Sequence, residues 1–258
     1  MSDARAFIAV SALLLALSTA VTIVWCASMS AMGGMPMPGG WTMSMAWMRM
    51  PGQSWPGAAA MFLGMWMVMM VAMMLPSLVL MLHRYRRAVG GAGAVRLGRL
   101  TVLVGASYFL VWTAFGVIAY PFGVALASLT MEQPALARVV PLAVGAVVVI
   151  GGVLQFSAWK VRHLACCRAS TAGCCPLPAD VGTALRLGLR LGLHCCYCCA
   201  GLTAILLVIG AMDLRAMTVV TAAITVERLA PSGERVARII GVIVIVAGMI
   251  LLGRQVAY

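Results

Sequence analysis

The sequence predicts an all-α polytopic membrane protein: a single bundle of about seven transmembrane helices with a cytoplasmic N-terminus. Hydrophobic residues make up 64% of the 258-residue chain and charged residues only 9%, whereas soluble domains average about 25% charged residues. Apolar stretches of about 20 residues, the length that crosses a bilayer core of about 30 Å, recur along the whole chain. Basic residues are distributed unevenly between these stretches, and this asymmetry predicts the orientation.

The predicted spans cover residues 6–27, 57–82, 100–128, 139–159, 189–211, 214–229 and 236–253. The first is predicted to be retained, because its apolar run is longer than that of a signal peptide and the bulky Trp25 precedes Cys26, unlike in a lipoprotein cleavage site. Pro121 predicts a kink or an end in the third span. The sixth span is short and contains Glu227, so it is the weakest of the set.

The charge pattern assigns a side of the membrane to each loop. The chain has a net charge of +12, with 18 basic residues against 6 acidic ones. In a chain this apolar, the excess indicates topology-setting loop charge rather than nucleic-acid binding. With the N-terminus inside, 14 of the 18 basic residues lie on the cytoplasmic side. The Met/Gly/Pro/Trp-rich loop 28–56 is then outside and the Cys/Arg-rich loop 160–190 inside, as expected for a multi-pass protein of the bacterial inner membrane.

Cysteines cluster on the predicted inner side, where thiols stay reduced. Eight of the nine cysteines fall within residues 166–199, a density that suggests metal ligation or redox exchange. Residues three or four apart share a helix face, which groups Cys195 with Cys198 and Cys199. The same spacing groups His163 with Cys167 at the end of the preceding span.

The predicted metal site contains His163, Cys167, Cys195, Cys198 and Cys199, with Cys166, His194 and Cys196 as further candidates. Soft thiolates select Cu(I) or Zn(II). Packing of cysteines as small hydrophobes and dithiol redox chemistry are the alternatives. The loop residues Cys174 and Cys175 are possible auxiliary ligands, and Cys26 is predicted to be a packing residue.

Methionines favour copper over zinc, because thioethers bind Cu(I) and largely ignore zinc. Of the 21 methionines, eight lie in the outer loop and eight in the second span. A flexible Gly/Pro backbone could wrap one soft ion, so the loop is predicted to hold a secondary metal site at Met29, Met32, Met35, Met37, Met43 and Met45. The alternative is a disordered loop anchored at the interface by tryptophans. The methionines of the second span fit adaptable packing and a conduction path equally well.

Four stretches of the sequence carry a family resemblance. They are WMVMMVAMMLP at 66–76, KVRHLACCR at 160–168, GLHCCYCC at 192–199, and GAMD at 210–213 followed by ERLAPSG at 227–233. Together they resemble a bacterial family of predicted metal-binding integral membrane proteins (domain of unknown function 2182). The resemblance implies a metal site at His163, Cys167, Cys195, Cys198 and Cys199. His163 stands where the family has a cysteine, and Tyr197 stands where it has a glycine, which predicts a less close helix approach.

The sequence favours a binding protein over an enzyme, because it contains no phosphate loop, nucleophile elbow or hydrolytic triad. Asp213 and Glu227 are predicted to pair with Arg215 and Arg228, with a proton-coupled role for Glu227 as the alternative. The leading hypothesis is a Cu(I)-binding protein for copper acquisition, transfer or delivery to a cuproenzyme. Its expected partners are the lipid bilayer, the metal ion and a membrane protein or copper chaperone, with no nucleic acid and with oligomers possible. The alternatives are an accessory subunit with a Zn/Cys site and a membrane thiol oxidoreductase.

Overall fold

The computed structural model describes residues 2–50, 52–89, 93–169, 178–210 and 213–256. In these residues the chain forms eight α-helices and one short hairpin. The helices are α1 (Ser2–Ala31), α2 (Trp55–Ala88), α3 (Ala94–Glu132), α4 (Pro134–Leu154), α5 (Ala158–Ala169), α6 (Val181–Gly210), α7 (Leu214–Leu229) and α8 (Gly233–Val256). The hairpin strands are β1 (Met35–Met37) and β2 (Trp41–Met43). The predicted class, an all-α polytopic membrane protein, is confirmed.

Six of the helices, α1, α2, α3, α4, α6 and α8, are long and apolar enough to cross a membrane. The seventh predicted span is α7, which has the predicted bounds but only 16 residues. At 1.5 Å per residue this helix is about 24 Å long, shorter than a bilayer core of about 30 Å. Its buried face includes Met217, Ile224 and Arg228, whereas Val219 and Val226 are 68% and 50% exposed. Helix α7 therefore packs against the bundle with one face.

The predicted end of the fourth span was wrong. The fourth span was predicted to continue to residue 159, but α4 ends at Leu154 and a separate helix, α5, begins at Ala158. A turn closed by backbone bonds from Phe156 and Ser157 lies between them. Helix α3 instead continues through Pro121 to Glu132, so the proline does not end it. The break before α5 matters because α5 carries Lys160, His163 and Cys167.

The outer loop is more ordered than the flexible wrap that its composition predicted. Strands β1 and β2 pair antiparallel, with Met35 opposite Met43 and Met37 opposite Trp41. The Trp41 indole donates a hydrogen bond to the Ala137 carbonyl oxygen at 2.8 Å, which holds the hairpin against α4. Met37 and Met43 are buried (8% and 3% exposed), whereas Met35 remains exposed.

Helices α3 and α6 approach closely because α6 presents two glycines four residues apart, the small-xxx-small pattern of membrane helix pairs. A Cβ atom at Gly188 would lie 2.4 Å from the Val104 carbonyl oxygen, and one at Gly192 would lie 2.9 Å from that of Tyr108. Only glycine fits both positions without moving α3. This close approach brings Tyr108 beside Cys195, three residues after Gly192.

Candidate metal centre

Four cysteine thiols meet in the interior of the bundle. Cys167 comes from α5 and Cys195, Cys198 and Cys199 come from α6; each is at most 3% exposed. The Sγ atom of Cys198 lies 3.8 Å from that of Cys167 and 3.5 Å from that of Cys199. All four are free thiols. We refer to these four residues as the thiol cluster.

The thiol cluster follows from the helix periodicity of its sequence. Cys195, Cys198 and Cys199 share one face of α6, as the sequence predicted. Helix α5 packs against α6 through Leu164 and Cys167, each 1% exposed. The neighbouring Cys166 and Cys196 are only partly buried, because adjacent helical positions point about 100° apart. The predicted candidates Cys166 and Cys196 therefore lie beside the cluster rather than in it.

The two histidines predicted as ligands, His163 and His194, contact each other rather than the four thiols of the cluster. The Nδ1 atoms of His163 and His194 are 3.0 Å apart. The His163 ring also lies 4.6 Å from the Trp159 ring and 5.0 Å from the Tyr197 ring, between centroids. Tyr197 is 44% exposed, and its ring contacts Trp159 and His163 of α5. The close approach of α6 to α3 uses Gly188 and Gly192, and the predicted effect of Tyr197 on helix approach stays a prediction.

The positively charged side chain of Arg228 lies against the thiol cluster. Its Nη2 donates to the Sγ atoms of Cys167 at 3.4 Å and Cys198 at 3.8 Å, and its Nη1 donates to the Ser77 hydroxyl at 2.7 Å. Arg228 is 5% exposed. A guanidinium stays protonated in proteins, and a buried charge needs a partner. A cysteine thiolate, alone or bound to a metal, would supply the missing negative charge.

A buried ion pair lies next to the cluster. The Lys160 ammonium is 2.6 Å from Glu227 Oε2 and also donates to the Cys198 carbonyl oxygen at 2.6 Å. The two residues are 4% and 1% exposed. Glu227 was predicted to pair with Arg228, but consecutive residues on α7 point to different sides, so Glu227 faces α5 and Arg228 faces the thiols. Asp213, predicted to pair with Arg215, instead caps the N-terminus of α7 by accepting from the backbone amides of Arg215 and Ala216.

Two further side chains reach Cys195 from the opposite direction. The Tyr108 hydroxyl of α3 donates a hydrogen bond to Cys195 Sγ at 2.8 Å. The Met74 Sδ of α2 lies 3.8 Å from the same thiol. Cys195 is therefore enclosed between α2, α3 and α6, and it is fully buried.

A cavity of about 130 Å³ adjoins the cluster on the α5 side. Its lining includes Lys160, Tyr197, Cys198 and Gln155. Gln155 is 2% exposed, and its side-chain oxygen has no hydrogen-bond partner in the described residues. Of the four residues of the thiol cluster, Cys198 is the one that contributes to this lining.

Within the part of the chain that the structure describes, no set of three His, Cys, Asp or Glu side chains is arranged to hold a metal ion as it stands. The thiols instead contact one another and Arg228. Such thiols can exchange protons for a soft cation, since the thiolate is the ligand form. Sulfur atoms bound tetrahedrally at about 2.3 Å lie about 3.8 Å apart, close to the present separations. Small side-chain rotations could therefore convert these contacts into coordination.

The predicted outer methionines are spread over three elements. Met29 lies on α1, Met32 follows it, and the others lie in the hairpin region. Met35, Met37 and Met43 share one hairpin face, because strand residues two apart point the same way. Met45 begins a short 3-10 turn, Met45–Trp47. Cys174 and Cys175, the predicted auxiliary ligands, lie outside the described residues. Cys26, predicted to pack, is 2% exposed and contacts Met217.

Sequence reasoning missed three residues that contact the thiol cluster, namely Tyr108, Met74 and Arg228, and it missed Ser77, which bonds to Arg228. Arg228 could have been found, because a basic residue inside an apolar segment needs a buried partner and the clustered thiols are the natural one. Ser77 carries no such signal, since serine hydroxyls on helices usually bond to their own backbone, as Ser77 does to the Met74 carbonyl. Tyr108 is an uncharged residue on an apolar helix, and the sequence gives no indication of which residue its hydroxyl meets.

Comparison with known protein families agrees with this picture. The model of a family described as PpoB2, copper chaperone, matches residues 63–251. No significant match was found among curated proteins or among solved structures. The match supports the metal-binding character that the sequence resemblance implied, and its description names copper. It includes α2 from Leu63 onward, the whole thiol cluster, the buried ion pair of Lys160 with Glu227, and Arg228. Because the match covers well over half of the chain, the protein belongs to the PpoB2 copper chaperone family.

Proposed function

We propose that the chain binds Cu(I) at the thiol cluster and passes it on, acting in copper acquisition, transfer or delivery to a cuproenzyme. The observation that carries this proposal is the burial of four free thiols against the guanidinium of Arg228. Thiolates select soft cations. Two thiolates and one Cu(I) have a net charge of −1, which Arg228 balances, so the loaded site would be neutral inside the bundle.

The cavity beside Cys198 supports exchange rather than permanent storage. Metal transfer between proteins or sites requires an incoming ligand to reach the bound ion. The free space next to Cys198 would admit such a ligand, while Cys195 stays enclosed beneath Tyr108. In this scheme Cys195 retains the ion and Cys198 is the first thiol to release it. The basic side of the membrane, assigned to the bacterial cytoplasm by the charge pattern, is the side of exchange.

The outer methionines would supply copper to this site. Met32 and Met35 are 49% and 37% exposed, and thioethers remain ligands where thiols would oxidise. Met37 and Met43 are buried in hairpin packing, so we expect them to contribute less. Because exposed and buried methionines lie in the same loop, the buried pair Met37 and Met43 can serve as a control for the exposed pair Met32 and Met35.

Replacing Met32 and Met35 by Leu is expected to slow copper loading of the thiol cluster without lowering its final occupancy. Leucine keeps the apolar volume and removes the sulfur, so the fold should change little. The measurement is copper content against time in copper-starved cells after copper is supplied. Met37→Leu/Met43→Leu is the matched control and should load at the wild-type rate. Equal rates for all three proteins would contradict a role of the outer methionines in capture.

A further inference from the structure

Helix α2 presents buried methionines along much of its length. The fully or nearly fully buried ones are Met65, Met69, Met70, Met73, Met74 and Met81, each at most 7% exposed. Sequence alone could not decide between packing and ligation for these residues. Their positions differ in one respect: the Met74 Sδ lies 3.8 Å from the Sγ of Cys195. Met74 itself is fully buried.

The same face of α2 also contacts Arg228, the charged neighbour of the thiol cluster. Ser77 lies three residues after Met74, almost one helical turn further, and its hydroxyl accepts the 2.7 Å hydrogen bond from Arg228. Arg228 in turn donates to Cys167 and Cys198. Met74 therefore faces Cys195 while Ser77 holds the guanidinium against the other thiols. Helix α2 thus contacts the cluster directly through Met74 and indirectly through Ser77 and Arg228.

Charge balance restricts what a third ligand can be. With two thiolates and Cu(I), Arg228 already neutralises the site, and a third thiolate would leave an uncompensated buried charge, which is costly. A thioether is neutral and soft, so it adds a bond without adding charge. Tyr108 also reaches Cys195, but a neutral phenol donates a hydrogen bond to the sulfur and is a poor ligand for a soft metal.

We propose that the thioether of Met74 is a ligand of the bound Cu(I), together with thiolates of the cluster that include Cys195. This inference rests on the proposed function, because it requires that the thiol cluster binds copper. It adds a determinant of metal choice: zinc would gain nothing from the thioether, whereas Cu(I) gains a third soft donor. Met74 would then be the member of the buried methionine series on α2 that lies at the copper site.

Selenium labelling distinguishes a methionine ligand from a cysteine ligand. The protein is produced with selenomethionine, loaded anaerobically with one equivalent of Cu(I), and examined by X-ray absorption at the copper edge. Cysteine sulfur and methionine selenium then scatter differently. We expect sulfur neighbours and about one selenium neighbour per copper in the wild type. Met74→Leu should lose the selenium neighbour, and the matched control Met81→Leu, at a buried position two turns further along α2, should keep it.

The outcomes separate this inference from the proposed function. Copper bound by sulfur alone in the wild type would overturn the assignment of Met74 while leaving the thiol site intact. A selenium neighbour that persists undiminished in Met74→Leu would place the ligand elsewhere and would also overturn it. A wild-type protein that binds no copper would remove the proposed function and this inference together. The wild-type spectrum decides the first and third outcomes even if Met74→Leu fails to fold.

Discussion

Replacement of Lys160 by Met, or of Glu227 by Gln, is expected to destabilise the protein by about 3–5 kcal/mol, the usual effect of leaving one partner of a buried ion pair alone. The pair is well suited to this test because its charged atoms are 2.6 Å apart and its members are 4% and 1% exposed. Lys160 also holds the Cys198 carbonyl oxygen. Loss of either partner should therefore loosen the contact of α5 with α6 and α7.

The double variant Lys160→Met/Glu227→Gln should recover most of that loss, because it removes both charges and leaves no buried ion. The measurement is the free energy of unfolding of the four proteins in one detergent, arranged as a double-mutant cycle. The expected coupling free energy is about the size of either single effect. If the double variant loses as much stability as the two single variants added together, the two charges do not stabilise each other.

Replacement of Arg228 by Met is expected to weaken Cu(I) binding by about 10- to 100-fold, as loss of a partner of metal ligands usually does. The guanidinium contacts the thiols of Cys167 and Cys198, so its loss leaves the negative charge of a copper–thiolate site uncompensated. Arg228→Lys should recover part of the affinity, since lysine keeps the positive charge but lacks the two separate Nη donors of the guanidinium.

The affinity is measured anaerobically by competition with a Cu(I) chelator, and unfolding is followed in parallel. Arg215→Met is the matched control, because Arg215 lies at the other end of α7 and is exposed. It should bind copper like the wild type. If Arg228→Met binds as tightly as the control while remaining folded, charge compensation by Arg228 plays no part in the site.

The sequence predicted the parts of the fold that depend on composition and short-range periodicity. Apolar length is a local property, so it predicted the six long helices and α7, although some predicted ends differ from the observed ones by five to eight residues. The break between α4 and α5 was missed because residues 154–158 (LQFSA) contain no proline or glycine. The turn depends on hydrogen bonds such as that from the Ser157 amide to the Leu154 carbonyl. Ser157 was the available signal, because its hydroxyl accepts from the Lys160 amide as an N-cap residue does.

The candidate site likewise contains residues that helix periodicity predicted and residues that it did not. Spacing on one helix grouped Cys195, Cys198 and Cys199, and the antiparallel order of helices brought Cys167 to them. Spacing could not place His163, because the start of α5 at Ala158 sets which way its faces point. It pairs with His194 instead.

The charged and hydroxyl neighbours of the cluster required the tertiary structure. Arg228 and Glu227 are adjacent on α7, yet one contacts thiols and the other contacts Lys160. Residue spacing along one helix does not reveal which neighbouring helix each side chain will meet. The same limit applies to Tyr108, whose position beside Cys195 depends on the close contact of α3 with Gly188 and Gly192.

The central claim, that the thiol cluster holds Cu(I), is tested most directly by metal analysis of protein purified anaerobically from copper-supplied cells. The wild type is compared with Cys195→Ser/Cys198→Ser and with Cys196→Ser, whose partly buried thiol adjoins the cluster without joining it. We predict about one copper per chain in the wild type and in Cys196→Ser, and none in the double variant. Stoichiometric zinc that is unaffected by copper supply, or copper retained after loss of both Cys195 and Cys198, would contradict this account.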